Sequence, residues 1–423
     1  MNGIKKHIPK SLLSAYHFFL AVLGALLYRF PSRQIKVVGI TGTNGKSSTA
    51  ELTSAILEKA GYKTAITGTV HFKINRKEEV NFLRMTMPGR FFIQKFLRKA
   101  VSAGCDWAII EMTSEGAEQF RHQFIDMDSL IFTNLAHEHI ESHGSFGKYL
   151  KAKLKIAKRL ELSKKINKTI IVNADDKQSK KFADIKDVSV HSYSLKNAEP
   201  FSLRRDGTTL TFRGKTIETK MLGKFNIYNC LAAATFALTL GVELETIKEA
   251  LQDFYTIPGR LEEVKVSDVQ KFSVFVDYAH TPDSLKAVYE IFNDATKIAV
   301  FGNAGGGRDS WKRPEMGRIA DIHCEKIILT VQDPYDENPS SIIEQTVCGM
   351  TNKKPEIILD RRQAIRRSLV LAHNECSKTE TNGKEIVVLI TGKGSDPYIM
   401  GPRRERTPWS DTEVVREELK KMF

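Results

Sequence analysis

A lysine and two serines directly after a glycine turn carry the clearest chemistry in this chain. In Val37-Val38-Gly39-Ile40-Thr41-Gly42-Thr43-Asn44-Gly45-Lys46-Ser47-Ser48-Thr49, an apolar run turns through glycines into a stretch of helical pattern. Backbone N–H groups of such a turn, at the positive end of the following helix, cradle phosphate oxygens. Lys46 would then reach the β- and γ-phosphates and Ser47 a magnesium ion. The general pattern places glycine where this chain has Ile40, so the loop is a variant. Gly42, Thr43, Asn44, Gly45, Lys46, Ser47 and Ser48 are therefore the expected phosphate-binding residues.

Two further groups belong to the same rim. Glu111, in Ile109-Ile110-Glu111-Met112-Thr113-Ser114-Glu115-Gly116, and His139, in Phe132-Thr133-Asn134-Leu135-Ala136-His137-Glu138-His139, each follow an apolar run of strand length. The carboxyl ends of parallel strands are where α/β sheets bind ligands. A carboxylate and an imidazole beside a phosphate loop suit a magnesium ion. Lys153 is the most informative lysine. The helical stripe Tyr149, Leu150, Ile156, Ala157, Leu160 contains it, whereas Lys151, Lys155 and Lys158 fall on the solvated face. A lysine on a buried face shifts its pKa readily; the alternative is a side chain that snorkels out of the stripe.

The variant loop, the Glu111 segment and the His139 segment resemble, in order, those of the Mur ligase family. The resemblance continues through Val172-Asn173-Ala174-Asp175-Asp176, Leu222-Gly223-Lys224-Phe225-Asn226-Ile227-Tyr228-Asn229, Pro258-Gly259-Arg260-Leu261-Glu262, Val276-Asp277-Tyr278-Ala279-His280 and Phe301-Gly302-Asn303-Ala304-Gly305-Gly306-Gly307. It covers nearly the whole chain and implies an ATP-dependent ligase that builds amide bonds through an acyl phosphate. It also implies ATP and two magnesium ions, with Ser47, Glu111, His139 and a carbamylated Lys153 as metal ligands. Asn226 and Asn229 would lie near the adenine, and Arg260, Asp277 and His280 would face the nucleotide. Thr86-Met87-Pro88, Asp360-Arg361 and Gly392-Lys393-Gly394-Ser395-Asp396 resemble the branch that adds the third residue of the peptidoglycan stem peptide. That branch implies Thr86, Ser114, Arg121, Gly392 and Asp396 as substrate-facing residues, with a small-molecule or nucleotide-sugar peptide acceptor and an amino acid as partners.

The chain departs from that branch at two places. Some thirty residues precede the phosphate loop, where the branch has a domain that grips UDP, which leaves the identity of the acceptor open. The amino-acid selectivity segment, Asp-Asn-Pro-Arg in diaminopimelate-adding enzymes, here reads Gln332-Asp333-Pro334-Tyr335. Without the arginine a distal carboxylate loses its charged partner, which disfavours diaminopimelate. Asp333 and Asp336 are instead expected to receive a cationic side chain such as that of lysine. Two alternatives stand beside this function: a folylpolyglutamate- or polyglutamate-type ligase, and a nucleotide-binding regulatory module without turnover.

These residues need a scaffold. With 423 residues, 41% hydrophobic, 9% aromatic and 27% charged, the chain reads as globular and as more than one domain. From Ile35 apolar runs alternate with amphipathic stretches, the signature of parallel strands and crossover helices. Expected strands are 35–40, 107–111, 129–134 and 169–173, then 272–277, 297–301, 326–330, 356–359 and 386–390. Between 201 and 221 short polar strands predict a small antiparallel patch. The expected division is an apolar extension over 1–33, an ATP-binding α/β domain over 34–257 with a mainly parallel sheet, and a Rossmann-like domain over 258–423.

Five scattered cysteines show no disulfide or zinc spacing and fit a reducing compartment. The net charge of +14 calls for a polyanionic partner, but the basic residues are dispersed and no nucleic-acid signature occurs. The uncharged run 11–28 lies between Lys5, Lys6, Lys10 and Arg29, Arg33. It predicts either a helix packed on the neighbouring domain or attachment to a membrane, at the lower length limit for a span. Both readings leave the body of the protein cytoplasmic.

Overall fold

In the computed structural model, which describes residues 10–136, 138, 143–307, 309–377 and 384–423, the alternation resolves into two layered α/β units. The first is an eight-stranded sheet. Its elements in chain order are β1 (Lys36–Thr41), α2 (Lys46–Lys59), β2 (Thr64–Thr67), β3 (His71–Ile74), β4 (Lys77–Val80), α3 (Arg90–Ser102), β5 (Trp107–Met112), α4 (Ser114–Glu118), β6 (Ser129–Phe132), α5 (Phe146–Glu161), β7 (Thr169–Asn173) and β8 (Ser189–Tyr193). A preceding helix, α1, covers Lys10–Leu27. Strand order is β4-β3-β2-β5-β1-β6-β7-β8, parallel except for the β2–β3 and β3–β4 pairings.

Strand alternation splits the apolar residues between two faces. Val38, Ile40, Ile109 and Ile131 pack under α2 and the helices α6 (Lys224–Thr239) and α7 (Leu244–Asp253). Val37, Ala108, Ile110 and Leu130 pack under α3 and α5. Each large side chain so buried contributes about 1.5–3 kcal/mol. The register then sets the chemistry. Thr41 pairs with Met112 and with Phe132, so three parallel strands end level and deliver their loops to one rim. Sequence reasoning missed β8 and the β3–β4 hairpin, whose β4 residues Lys77, Glu78, Glu79 and Val80 are all exposed at the free edge of the sheet.

The antiparallel patch is a three-stranded sheet, β9 (Phe201–Arg204), β10 (Gly207–Phe212) and β11 (Lys215–Thr219). The second large unit comprises β12 (Glu262–Glu263), β13 (Ser273–Asp277), α8 (Pro282–Ile291), β14 (Thr296–Phe301), α9 (Lys312–His323), β15 (Lys326–Leu329), β16 (Glu356–Ile357), α10 (Arg361–Cys376) and β17 (Ile386–Thr391). Its order is β12-β13-β17-β14-β15-β16, parallel apart from β12.

Candidate functional site

The rims of the two sheets face each other across a cleft of about 740 Å³ lined by both. On the first rim, the backbone of Gly45 takes φ 82°, a left-handed conformation suited to glycine. A Cβ there would lie 2.4 Å from Asn229 Oδ1, so the phosphate turn needs a bare backbone. The loop is braced from the neighbouring strand ends: Asn44 N donates to Asn134 Oδ1 at 2.9 Å, and Ala136 N to Thr43 Oγ1 at 3.0 Å.

Glu111 is buried at the end of β5. It accepts from Ser47 Oγ at 3.1 Å, Thr69 N at 2.8 Å and Thr69 Oγ1 at 3.0 Å. Burial raises its pKa against the opposing pull of Lys46 and these donors. Gly68 makes room for it, since a Cβ there would lie 2.0 Å from Glu111 Oε1. A hydroxyl and a carboxylate side by side, with the carboxylate held above its ordinary pKa by burial, fit a hard divalent cation. Among the described residues no group of three or more His, Cys, Asp or Glu is placed to hold a metal ion. His139 lies outside the described residues.

Lys153 is 2% exposed on the inner face of α5, as its place in the apolar stripe predicts. Its Nζ donates to Gly42 O at 2.8 Å and sits 5.0 Å from the centre of the Tyr149 ring. Lys46 Nζ donates to the same Gly42 O at 2.9 Å and to Thr43 O at 2.7 Å. Two ammonium groups on one carbonyl in a buried place discourage protonation. Burial, then the neighbouring Lys46, lower the Lys153 pKa well below its ordinary value; burial also lowers Lys46, opposed by Glu111 and Glu138.

Further residues converge from the adjoining elements. Asn229 Nδ2 donates to Asn226 Oδ1 at 2.8 Å on α6, and both line the cleft beside the loop. From the second unit come Arg260, stacked 4.1 Å over Tyr278, and Asp277, whose carboxylate accepts from Leu261 N at 2.7 Å and Ala279 N at 2.6 Å. His280 Nε2 lies 3.5 Å from Glu138 across the cleft. At the other end are Thr86, hydrogen-bonded to Thr69 at 2.9 Å, and Ser114, 3.0 Å from His143 Nε2. Arg121 sits there too, donating to Met87 O.

The remaining expectations are redirected. Asp333 is buried and already carries its cations: Lys393 Nζ at 2.9 Å and Arg84 Nη2 at 2.8 Å, with Met400 N at 2.8 Å. Arg84 also bonds Asp396, so this one side chain joins the first unit to two loops of the second. Burial alone would raise the Asp333 carboxyl, but Lys393 and Arg84 hold it below the ordinary range. Asp336 does not line the cleft; it is exposed and accepts from Arg403 N at 2.6 Å. The expected pair for a cationic side chain is therefore corrected, one member being neutralised internally and the other facing solvent. Gly392 also lies behind the lining, its carbonyl bracing Gln332 Nε2 at 2.9 Å. Sequence reasoning missed Arg84, Thr69 and Asn134, although Arg84 precedes Thr86 in one loop and Asn134 lies inside the 132–139 motif.

A phosphate loop, a buried carboxylate and a low-pKa lysine on one rim, closed by a second α/β unit, define a phosphoryl-transferring two-unit enzyme. Comparison with known families agrees. The Mur ligase middle domain matches residues 40–237 and the Mur ligase glutamate ligase domain matches 259–394. The UDP-N-acetylmuramoyl-L-alanyl-D-glutamate–2,6-diaminopimelate ligase of Bacillus cereus is 32% identical over 97% of this chain and 84% of its own length. The UDP-N-acetylmuramyl-tripeptide synthetase of Roseiflexus sp. is 35% identical over 95% and 81%. A solved diaminopimelate ligase of the same name as the Bacillus relative superposes with a TM-score of 0.61 at 25% identity, covering 92% of this chain and 79% of that one. A Mycobacterium tuberculosis folylpolyglutamate synthase shares the fold, with a TM-score of 0.71 at 16% identity over 91% and 92% of the two chains. The chain belongs to the Mur ligase family of ATP- and Mg2+-dependent amide-bond ligases.

Proposed function

We propose that the protein adds an amino acid to the terminal carboxylate of a UDP-N-acetylmuramoyl-peptide-like acceptor, as the printed names of its relatives describe for them. The observation that carries this reading is the convergence of Lys46, Lys153, Ser47 and Glu111 on one loop at the first rim. The acceptor carboxylate attacks the γ-phosphorus of ATP, the bond to the β–γ bridging oxygen breaks, and ADP leaves. The amine then attacks the acyl carbon, loses a proton and expels inorganic phosphate. Lys46 holds the phosphate oxygens, and the loop amides carry the charge that develops on them.

Ser47, Glu111 and His139 are the proposed magnesium ligands; the ion's chemistry would be to neutralise the phosphate charge. Lys153 is the proposed site of carbamylation, because only a neutral amine adds CO2 and burial, then Lys46, push this amine towards its neutral form. Asn226 and Asn229 are assigned to the adenine, Arg260, Asp277 and His280 to the closing face, and Thr86, Ser114 and Arg121 to the acceptor. Arg84 keeps a buried Nη1 without a protein partner, suited to a substrate carboxylate. The chemistry is placed in the cytoplasm, with residues 11–28 as the contact to a membrane surface.

The test is mass spectrometry of products formed from ATP, a UDP-N-acetylmuramoyl dipeptide and an amino-acid mixture containing lysine and diaminopimelate. The expected result is ADP release that needs both acceptor and amine. Release that ignores either one overturns the reading.

A further inference from the structure

Helix α1 is built inside out. Its small residues Ala21, Gly24 and Ala25 are buried against the body, and Gly24 packs on Arg90 and Phe91 of α3. Its large residues Leu12, Tyr16, Phe19, Leu23 and Leu26 follow one another at intervals of three or four residues, about one helical turn, with Leu27 beside the last, and all face outward, Phe19 and Leu27 each 62% exposed. Among the described residues nothing covers this stripe, and no helix is long and apolar enough to cross a membrane.

The charge on the helix and its flanks has one sign. Residues 1–50 contain no Asp or Glu, while Lys5 and Lys6 precede the helix, Lys10 opens it, and Arg29 and Arg33 follow it, the last paired with the buried Asp126 at 3.0 Å. Helix α3, on which α1 lies, also has no acidic residue and exposes Lys95 and Lys99. Large apolar side chains on one face with only basic residues at its margins match a helix lying in a bilayer interface. A second copy seated on the stripe would bring two such basic margins together.

We propose that this face of α1 docks on the surface of an anionic lipid bilayer. The attachment has a direction. Gly24 lies at Arg90, and the Tyr28 carbonyl accepts from Arg98 Nη2 at 2.8 Å, so the earlier turns of α1 run past the amino end of α3. There Phe18 packs 5.7 Å from both Phe120 and Phe124, beside Arg121. Docking thus brings the Arg121 end of the cleft to headgroup level; naming it the acceptor end rests on the function proposed above.

The experiment is flotation of the full chain with vesicles of phosphatidylcholine alone, or with about a third phosphatidylglycerol, at low salt. The expected result is binding at least about tenfold stronger to the anionic vesicles, reduced by salt. The variant Phe19→Ser/Leu23→Ser should lose about tenfold or more of it with an unchanged melting temperature, since both side chains are exposed. Absence of binding by the wild type, or equal binding by the variant, overturns the proposal. So does a concentration-dependent dimer in ultracentrifugation that the variant abolishes without any vesicle binding. ADP release with a soluble acceptor and no vesicles tests the ligase reading separately, so each can fail alone.

Discussion

The two ends of the cleft hold charge in opposite ways. At the phosphate end Lys46, Lys153 and Glu111 are buried with their ionisation opposed: both lysines titrate low and the glutamate high. At the far end Asp333, Asp396, Lys393 and Arg84 form two acids against two bases, and Asp333 titrates low because its partners are in place. A charge-balanced network rigidifies, whereas an unbalanced one is ready for an ion from outside. The phosphate end is where a nucleotide and a cation complete the charge balance, and the far end is a clasp between the two sheets.

The contrast breaks most readily at Lys46. Lys46→Ala should lower ADP release that depends on both co-substrates by about 100-fold or more, measured by coupled assay. Lys153→Met should also stop turnover, yet by removing a costly buried amine it should raise the melting temperature. The sign follows from linkage: with its folded pKa below 10.5, Lys153 binds fewer protons folded than unfolded. Wild-type stability should therefore fall as pH drops from about 10.5 towards the folded pKa, and that part of the slope should be absent in the variant. A variant with the same slope would place Lys153 in water.

Arg84→Ala tests the clasp. It leaves two buried acids with one lysine, for which a loss of about 3 kcal/mol is expected in denaturant unfolding. The KM for the amino acid should rise more than kcat falls, because closure rather than phosphoryl transfer is affected. Smallest of all, Asp336→Ala should change stability by less than about 0.5 kcal/mol and leave lysine and diaminopimelate turnover in the same ratio. A marked shift in that ratio would return Asp336 to the site.

Legibility in the sequence followed the same divide. The phosphate end could be read because its parts are local: a turn of fixed spacing, residues at strand ends, and a lysine inside a helical stripe. Strands expected over 107–111, 169–173 and 386–390 were likewise visible as mainly apolar runs, and the structure has them at Trp107–Met112, Thr169–Asn173 and Ile386–Thr391. The far end could not be read, since Arg84 meets Asp333 and Asp396 only through the tertiary approach of two sheets, and nothing in a sequence window announces such a partner. Asp333 was expected to receive a cationic side chain from a substrate, and it meets Arg84 and Lys393 of the chain itself. The hairpin β3–β4 was missed because its exposed second strand has no apolar face to alternate.

That hairpin has a consequence for handling the protein. A sheet edge presents unpaired amides and carbonyls to any passing chain, and like-signed or desolvated charges make strand addition costly. With Lys77, Glu78 and Glu79 exposed along β4, the outermost strand is a poor template. Strand β2 behind it, Thr64-Ala65-Ile66-Thr67, is wholly buried and would be a good one. The charged hairpin therefore works as a guard rail, and a shortened version of the chain that trims 71–80 would trade a quiet edge for a sticky one.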